Sequence, residues 1–523
     1  MKRLCAGIAA VTMGAVLAGG TPVPAAAAAG GIDWGACADL KPRGDAKPEC
    51  AELTVPMDTG AGGRERADTP AVTLALSRVP ARVKREGTLL VNPGGPGSPG
   101  RDWAAATADG LPADLRDRFD VVGFDPRGTG ASTPAIHCDP GYYTPVRPDG
   151  IPHSTAEAAV LVSRATSYAD TCAERNGPLL DHMGTLDSVS DMESIRTALG
   201  AERIDYLGYS YGTYLGAAYA TQYPDRIRRL VLDSIVDPRR PWYESNLAQN
   251  RSLEAAAQNF FGWAARNDAT YALGGSAGEV EKHYYSVRER LAEAPVDDAL
   301  GPVEYESTYI LAAYASDTWP VLARALADYA VRDDPAALKA AHKRFGENAD
   351  SDPGHGAYLA TQCTDAQWPH DWPTWRRDAE QSHAEAPFQS WSNTWYNAPC
   401  MAWAGDSRPW FEVGGQPAGG ALLVQATDDG PTPVGGAYAM RDRFTGSRLI
   451  VEDGGVDHGV ALNGNACVDG AVAAYLRDGT LPAPGGGADG ADRTCAAAPQ
   501  PDPEPAEPQR EPLRHRHGPH ATR

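Results

Sequence analysis

Residues 204–216, which read IDYLGYSYGTYLG, decide the fold of this chain. The first residues form an apolar run that favours a β-strand, and the last residues favour a helix with small side chains on one face. Between them stands Gly-x-Ser-x-Gly, the pattern of a nucleophile elbow, in which a strand turns sharply into a helix. Side chains at Gly208 and Gly212 would collide with the neighbouring strand and helix. We therefore predict that Ser210 is a catalytic nucleophile.

The same pentapeptide occurs a second time, at residues 274–278. This copy follows no strand-like run and is rich in glycine, which favours a flexible loop. Because the chain contains 56 glycines, a chance match to so short a pattern is not surprising. We therefore do not expect Ser276 to be the nucleophile.

A glycine-rich loop that precedes the elbow predicts part of an oxyanion hole. Residues 88–91 favour a strand, and residues 92–100, NPGGPGSPG, can continue neither as strand nor as helix. With a nucleophile elbow, such a loop donates one backbone N–H to the oxyanion, and the residue after the nucleophile donates the other. We assign these two donors to Gly95 and Tyr211. A purely structural turn is the alternative for the loop.

A serine hydroxyl needs an imidazole to take its proton and a carboxylate to hold that imidazole. With a nucleophile elbow the chain order is serine, acid, histidine. Of the 12 histidines, only His458 lies in a glycine-rich loop after a late strand-like run, at residues 448–452. For the acid we prefer Asp429, which precedes a Gly-Pro-Thr-Pro turn, over its neighbour Asp428. Asp233, at the end of another strand, is a third choice.

Strand-like runs alternate with helix-like runs along most of the chain. Strands are predicted at residues 53–56, 71–76, 88–91, 120–125, 204–209, 229–234, 421–425 and 448–452. This alternation is typical of an α/β fold with a mostly parallel sheet that is covered by helices on both faces.

The alternation stops between residues 238 and 404. Helix-like runs take its place, at residues 252–265, 280–291 and 319–329, and ten of the 12 tryptophans lie between Trp242 and Trp410. The length and position of this segment predict a largely helical cap, with some tryptophans lining an apolar cleft near the nucleophile. Residues 30–237 and 405–495 would then form the two parts of the core.

Both ends of the chain differ in composition from the core. Residues 1–29 begin with Lys2 and Arg3, continue with an apolar run too short to span a bilayer, and end in an alanine run. This is the pattern of a cleaved signal peptide, so we expect a secreted protein. Residues 496–523 are rich in Pro, Glu, Arg, Ala and His and are predicted to be disordered, because they offer little apolar surface to bury.

Nine cysteines are present, and Cys5 lies within the predicted signal peptide. The even number that remains suggests disulfides in an exported chain. Their clustering favours pairs of neighbours: Cys37 with Cys50, Cys138 with Cys172, Cys363 with Cys400, and Cys467 with Cys495. Neither C-x-x-C nor H-E-x-x-H occurs in the sequence, so we expect no metal site.

The formal net charge of −21 argues against nucleic acid and anionic membrane surfaces as partners. No long apolar segment follows the signal peptide, so we expect no membrane-spanning helix. Residues 125–130, DPRGTG, lack the lysine and the spacing of a phosphate-binding motif. We interpret Asp125 and Arg127 as a pair that braces the loops around the site. We expect no cofactor, and we expect a monomer.

Several of these motifs together resemble a known family. They are NPGGPG at residues 92–97, DPRGTG at 125–130, GYSYGTYLG at 208–216, the loop at 424–433, and the loop of His458. The combination is similar to the secreted tripeptidyl aminopeptidases of actinobacteria, which belong with the prolyl-aminopeptidase-like α/β hydrolases. The resemblance extends over residues 34–495, nearly the whole chain outside the two ends.

This resemblance implies a serine exopeptidase that releases short peptides from free N-termini, with Ser210, Asp429 and His458 as its triad. The acid loop of the family reads Leu-Asp-Pro-x-Thr-Pro, whereas this chain has Asp428 and Gly430 in place of the leucine and the first proline. A substrate with a free N-terminus needs a carboxylate to neutralise its ammonium group. Glu244, just after the junction of core and cap, is our candidate.

Two other functions fit the same residues. An esterase or lipase of this fold uses the same triad and oxyanion hole. A catalytically silent binding protein could also retain the scaffold. Blocking the N-terminus of a peptide substrate separates a peptidase from an esterase, and labelling of Ser210 by an organophosphate separates an enzyme from a silent protein.

Overall fold

A computed structural model of the chain describes residues 31–58 and 70–503. The predicted signal peptide, residues 1–29, and residues 504–523 of the predicted tail lie outside the described residues. Within these ranges the chain forms one ten-stranded sheet. The strands are β1 (Gly35–Ala36), β2 (Glu49–Pro56), β3 (Ala71–Val79), β4 (Gly87–Asn92), β5 (Phe119–Phe124), β6 (Ile204–Tyr209), β7 (Ile227–Asp233), β8 (Leu422–Ala426), β9 (Arg448–Asp453) and β10 (Arg493–Ala496).

The strands lie side by side in the order β1-β2-β3-β5-β4-β6-β7-β8-β9-β10. Pairing is antiparallel from β1 to β5 at one edge, and every pair from β5 to β10 is parallel. Parallel neighbours end at the same edge of a sheet, where ligands bind in open α/β folds. The loops that leave this edge carry Gly95, Ser210, Asp429 and His458.

Helices cover both faces of the sheet. Those outside the predicted cap are α1 (Trp103–Gly110), α2 (Ala113–Arg116), α3 (Thr155–Asn176), α4 (Thr185–Ala198), α5 (Tyr211–Gln222), α15 (Gly435–Arg443) and α16 (Ala466–Asp478). Leu89 and Val91 of β4 pack with residues of α1 and α16, whereas Leu90 packs with residues of α4 and α5. The strand is apolar at successive positions because both of its faces are buried.

Between β7 and β8 the chain is helical. The helices are α6 (Trp242–Arg266), α7 (Asp268–Tyr271), α8 (Ala277–Glu293), α9 (Pro302–Tyr309), α10 (Trp319–Arg332), α11 (Ala336–Phe345), α12 (Asp352–Asp365), α13 (Trp372–Glu385) and α14 (Ser390–Asn397). We call residues 238–404 the cap. Part of it has a hydrophobic core of its own, in which Phe260, Tyr284 and Trp319 are fully buried. Among the described residues, none of the helices is long and apolar enough to cross a membrane.

Four disulfides connect cysteines that are neighbours along the chain. They are Cys37–Cys50, Cys138–Cys172, Cys363–Cys400 and Cys467–Cys495, and they close loops with sequence separations of 13, 34, 37 and 28 residues. In the chain-entropy description, a loop of this size stabilises the folded state by about 3 kcal/mol.

The beginning of the predicted disordered tail is ordered. Residues 493–496 form β10, which pairs with β9, and residues 497–503 continue towards the cap. The indole N–H of Trp263 donates to the carbonyl of Pro501 at 3.1 Å, and the hydroxyl of Tyr271 donates to the carbonyl of Pro503 at 2.5 Å. The prediction was wrong here because composition takes no account of backbone carbonyls, which can satisfy buried polar groups of another element.

Candidate active site

Ser210 stands between β6 and α5 in a backbone conformation that is rare for a residue with a side chain. Its φ is 56° and its ψ is −128°. The turn is held because the Ser210 N–H donates to the carbonyl of Asp233 at 3.0 Å and the Ser210 carbonyl accepts the hydroxyl of Thr213 at 2.6 Å. Such strain persists only where the surrounding structure over-determines it, and it places the serine side chain at the apex of the turn.

The two glycines of the motif have no room for a side chain. A Cβ on Gly208 would lie 2.3 Å from the carbonyl oxygen of Gly212, and a Cβ on Gly212 would lie 2.8 Å from the carbonyl oxygen of Asn92. Close packing of β6, α5 and the end of β4 therefore requires glycine at both positions. The steric interpretation of the sequence pattern agrees with this geometry.

His458 and Asp429 lie together in the loops that follow β9 and β8. Nδ1 of His458 is 3.0 Å from both carboxylate oxygens of Asp429, and both side chains are almost fully buried. The tautomer that donates from Nδ1 to the carboxylate leaves Nε2 as the proton acceptor. Asp429 is in turn oriented by the backbone N–H of Thr432, which donates to Oδ1 at 2.8 Å.

The structure separates the two candidate acids of the acid loop. Asp428 is exposed, its backbone N–H donates to the carbonyl of Gly455 at 2.9 Å, and its side chain hydrogen-bonds with Asn259. Asp233, the third candidate, is fully buried, but its carboxylate accepts backbone N–H groups of Val460 and Ala461. Asp429 is therefore the carboxylate that meets the ring of the histidine.

His458 is also held from the cap. Its backbone N–H donates to the carbonyl of Tyr314 at 2.8 Å. The phenol ring of Tyr314 lies edge-on to the imidazole, with 5.4 Å between the ring centroids. The neighbouring Asp457 accepts the backbone N–H of Ser316 at 2.6 Å. The position of the imidazole therefore depends on both the sheet and the cap.

The glycine-rich loop after β4 lies against the elbow. A Cβ on Gly94 would lie 2.8 Å from Cβ of Ser210 and 3.0 Å from the backbone nitrogen of Tyr211. The Gly94 N–H donates to Oδ1 of Asn92 at 3.0 Å. Gly95, with a φ of +106°, lines the same cavity as Ser210 and Tyr211. The loop can thus present the Gly95 backbone, and α5 its first N–H, to one oxyanion.

Asp125 and Arg127 brace this region without pairing with each other. The carboxylate of Asp125 accepts three backbone N–H groups, from Gly100, Arg101 and Ala131, at 2.8–3.0 Å. Burial raises its pKa, and these N–H groups oppose that rise. Arg127 instead makes a buried two-bond ion pair with Asp191 of α4, at 2.7 and 2.8 Å. The predicted pairing was wrong because each side chain finds a partner distant in sequence.

A cavity of about 310 Å³ opens beside Ser210 and runs between the core and the cap. Aromatic side chains form much of its wall: Tyr143, Trp242, Tyr314, Tyr358, Trp395 and Tyr396. Two of the cap tryptophans thus line a cleft at the nucleophile, as the sequence suggested. Charged side chains also line the cavity, among them Arg147, Arg164 and Glu347, and a wall that combines aromatic and polar groups can bind a small molecule or a peptide.

Glu244 does not contribute to this cavity. It is exposed on α6, whereas the next residues, Ser245 and Asn246, line the cavity. The carboxylates that do line it are Asp237 and Glu347. Because neighbouring residues of a helix point about 100° apart, the sequence could not show which of them faces the site.

Asp237 and Glu347 both have arginine partners. Asp237 pairs with Arg239 at 2.8 Å and with Arg240 at 3.3 Å. Glu347 is buried and pairs with Arg147, which also pairs with the buried Glu304 at 2.9 Å. Two carboxylates thus share the guanidinium of Arg147, and the other arginines that line the cavity are Arg164, Arg239 and Arg240.

Sequence reasoning missed Thr432. Besides its N–H bond to Asp429, its hydroxyl lies 3.3 Å from Nδ1 of His458. The available signal was its position three residues after the acid, where a backbone N–H can return to the carboxylate.

The second Gly-x-Ser-x-Gly copy has a structural role. Ser276 caps α8, since its hydroxyl accepts the backbone N–H of Glu279 at 3.3 Å and donates to the Glu279 carboxylate at 2.8 Å. Ser276 is exposed, and no strand precedes it directly. A serine in this setting stabilises a helix N-terminus, and within residues 31–58 and 70–503 its side-chain hydrogen bonds go to Glu279 and not to a histidine.

Two family profiles match the chain. A profile described as "alpha/beta hydrolase fold" matches residues 87–325, and one described as "TAP-like protein" matches residues 386–507. The tripeptidyl aminopeptidase of Streptomyces coelicolor is 37% identical over 495 residues, covering 91% of this chain and 88% of that protein.

More distant relatives are also similar over most of their length. Serine protease Hip1 of Mycobacterium tuberculosis is 30% identical over 487 residues, covering 87% of this chain and 90% of that protein. A protein of the same species named carboxylesterase B is 33% identical over 454 residues, covering 83% of this chain and 85% of that protein. The fold class and the resemblance inferred from the motifs are confirmed by these matches.

Proposed function

The chain belongs to the tripeptidyl aminopeptidase family of α/β hydrolases, and on this premise we propose that it is a serine exopeptidase that removes short peptides from free N-termini. The observation that carries the proposal is the buried, hydrogen-bonded pair of Asp429 and His458, together with Ser210, which stands at the apex of an elbow and lines a cavity. Ser210, His458 and Asp429 are the triad of the proposed reaction.

In the first half of the reaction, the Ser210 hydroxyl attacks the scissile carbonyl while His458 Nε2 accepts its proton. Asp429 stabilises the imidazolium that forms, because it accepts the hydrogen bond from Nδ1. The backbone N–H groups of Tyr211 and Gly95 bind the oxyanion of the tetrahedral intermediate. These N–H groups stabilise the transition state because they are already oriented before the negative charge develops.

The C–N bond of the tetrahedral intermediate then breaks and His458 gives its proton to the departing amine, which completes acylation. The N-terminal fragment remains as an acyl ester on Ser210. A water molecule then attacks this ester, His458 takes the proton of the water, and the released product carries a carboxylate. The serine regains its proton at the end of the cycle, so no cofactor takes part.

The cap supports an exopeptidase over an endopeptidase. A cavity that is covered by helices accepts a chain end more readily than the middle of a folded protein. The aromatic wall suits apolar side chains, and Glu347 can accept a substrate ammonium group. We therefore replace Glu244 by Glu347 as the candidate partner of the substrate N-terminus.

The test compares an unblocked tripeptidyl anilide with its N-acetylated analogue, using purified protein. The proposal expects hydrolysis of the free peptide with release of the intact tripeptide, and at least a hundredfold lower kcat/KM for the blocked form. Mass spectrometry of digests of longer peptides gives the number of residues released. Equal rates for both anilides would contradict the proposal.

An esterase is the second candidate, because a relative of 33% identity carries the name carboxylesterase B. Esters are easier to cleave than amides by the same triad, so ester turnover alone does not separate the two functions. Turnover of p-nitrophenyl esters without any detectable cleavage of unblocked peptides would favour the esterase. The proposed peptidase cleaves both.

Secretion, a monomeric state and the lack of nucleic-acid or membrane partners remain part of the proposal. The four disulfides support an oxidising compartment. N-terminal sequencing of protein recovered from culture medium tests the cleavage of residues 1–29, and light scattering of the purified protein tests the monomer. Retention inside the cell would contradict the first, and a dimer mass the second.

A further inference from the structure

The end of β7 and the residues that follow it contact the loops of all three triad residues. The carbonyl of Asp233 accepts the N–H of Ser210 at 3.0 Å. The N–H of Ile235 donates to Oε1 of Gln425 at 2.7 Å, and the amide of Gln425 donates to the carbonyl of Thr432 in the acid loop at 2.8 Å. Asp233 therefore lies where the loops of the triad residues meet, but it has no role in the triad mechanism described above.

Three further contacts are made to the loop after His458. Oδ2 of Asp233 accepts the N–H groups of Val460 at 2.8 Å and Ala461 at 2.7 Å. The hydroxyl of Ser234 accepts the N–H of Gly459 at 2.7 Å. The three residues that directly follow the histidine are thus bound, through consecutive backbone N–H groups, to the end of β7.

A backbone amide bound by a charged acceptor is held more firmly than one bound by a neutral acceptor. Asp233 is fully buried, and burial raises its pKa to about 7. The amides of Ala461 and Val460 and the charge of His458 lower that pKa, whereas the charge of Asp429 raises it further. In the described part of the chain, the ionisable groups that face Asp233 are Asp429, His458 and Tyr209.

We propose that Asp233 is a positioning residue: its ionised carboxylate holds the loop of residues 459–461 so that His458 stays aligned between Asp429 and Ser210. The same carboxylate supplies a second buried negative charge that interacts with His458 and stabilises the imidazolium during acylation. This inference rests on the proposed triad and adds a residue to it. The active form has Asp233 ionised, and its carboxylate acts through its hydrogen bonds to the loop and transfers no proton.

A role for ionised Asp233 makes the activity depend on pH through two groups. Activity requires both His458 in its neutral form and Asp233 in its ionised form, so two protons inhibit the enzyme as the pH falls. The acid limb of log kcat/KM against pH then approaches a slope of about two. An enzyme in which only the histidine matters has a slope of about one.

The test compares Asp233→Asn with Asp205→Asn in the full-length protein. Asp205 is a matched control: it is a buried carboxylate of the adjacent strand β6 whose pKa burial also raises, and it pairs with Arg228 at 2.5 Å. For Asp233→Asn we expect kcat to fall about 10- to 100-fold, as for the loss of hydrogen bonds to a charged acceptor. KM stays within about twofold, and the acid limb becomes that of a single ionisation.

The Asp205→Asn variant should keep the kcat of the wild type and its steep acid limb. Full activity of Asp233→Asn with an unchanged acid limb would overturn the inference. If that variant does not fold, the wild-type profile decides, because a slope of one there also overturns it. The Ser210→Ala variant tests the proposed triad separately. If it is inactive, the triad stands and the results above concern Asp233 alone. If it is active, the triad itself is refuted.

Discussion

The sheet and the cap contribute to the same cavity in different ways. Residues that the sheet contributes, such as Gly95 and Ser210, stand in loops that leave the carboxyl ends of strands. Residues that the cap contributes, such as Asn246 and Glu347, come from helix faces and from loops between helices. Sequence motifs identified residues of the first kind, whereas the one cap residue chosen from the sequence, Glu244, lies outside the cavity.

The difference has a geometric cause. All parallel strands of a sheet end at one edge, so a polar residue after a strand is already placed near its counterparts from other strands. A helix presents a new direction with every residue, and only packing decides which direction faces the cavity. The candidate catalytic residues of the sheet can therefore be identified from motifs, whereas the cap residues that line the cavity cannot.

The largest effect is expected at the nucleophile. Ser210→Ala should lower kcat by about 10⁵- to 10⁶-fold, because the remaining histidine and oxyanion donors cannot form the acyl ester. Hydrolysis of an unblocked tripeptidyl anilide measures this. The matched control is Ser276→Ala in the second pentapeptide, which should keep the kcat of the wild type. A large loss in the control would mean that the pentapeptide in the cap, and not the elbow in the sheet, carries the chemistry.

The acid loop offers a comparison between two adjacent carboxylates. Asp429→Asn should lower kcat by about 10³- to 10⁴-fold, because the amide no longer stabilises the imidazolium or selects its tautomer. Asp428→Asn, one residue away and exposed, should change kcat by no more than about twofold. Both variants are assayed with the same anilide at saturating concentration. Similar losses in the two would show that the loop rearranges when substrate binds.

A buried carboxylate at the junction of cap and core should make the stability of the protein depend on pH. Asp365 accepts the N–H of Thr185 in α4 at 2.6 Å and the indole N–H of Trp242 in α6 at 3.3 Å. Burial raises the pKa of Asp365 to about 6, despite these hydrogen bonds. A raised pKa means that its contribution to stability is complete below pH 4 and is lost as the pH rises through 6.

The stability of the wild type relative to Asp365→Asn should therefore fall by about 3 kcal/mol between pH 4 and pH 7. Urea unfolding of both proteins across this range, followed by tryptophan fluorescence, gives the difference. A constant difference would mean that the junction does not sense ionisation of this carboxylate, and the cap would then be attached mainly by apolar packing and by the chain itself.

The smallest expected effect concerns substrate binding in the cap. Glu347→Gln should raise KM for unblocked tripeptidyl anilides about tenfold, because a charge-assisted hydrogen bond to the ammonium group is lost. Turnover of a p-nitrophenyl ester that lacks an amino group should not change. Glu244→Gln, on the exposed side of α6, serves as the control and should leave both KM values as they are. A larger effect at position 244 would restore the original sequence-based choice.

Some strands could be predicted from the sequence and others could not. The predicted strands at residues 120–125 and 204–209 overlap β5 and β6 almost residue for residue, because a buried parallel strand between turn signals is a strong local pattern. Strand β10 was missed. It is short, and its pairing with β9 depends on contacts with residues about 43 positions away, as in the register of Arg493 with Ile450.

The partners of buried arginines and carboxylates could not be predicted from the sequence. The motif at residues 125–130 suggested a pair between Asp125 and Arg127, yet Arg127 pairs with Asp191, 64 residues further on. Likewise, the position of Asp233 at the end of a strand made it a candidate for the triad acid. In the structure its carboxylate instead accepts backbone N–H groups of the loop after His458. Residue type and position suggest a role near the site, but they do not identify the partner.

By itself, the sequence determined the alternating sheet, the strained serine turn and the loops that carry the candidate triad, because these follow from local sterics and hydrophobic periodicity. Tertiary structure alone decided that Asp429 and not Asp428 meets the imidazole, that Glu347 and not Glu244 lines the cavity, and that residues 497–503 dock on the cap. These three outcomes depend on packing between residues that are distant in the sequence, and a local sequence pattern contains no information about that packing.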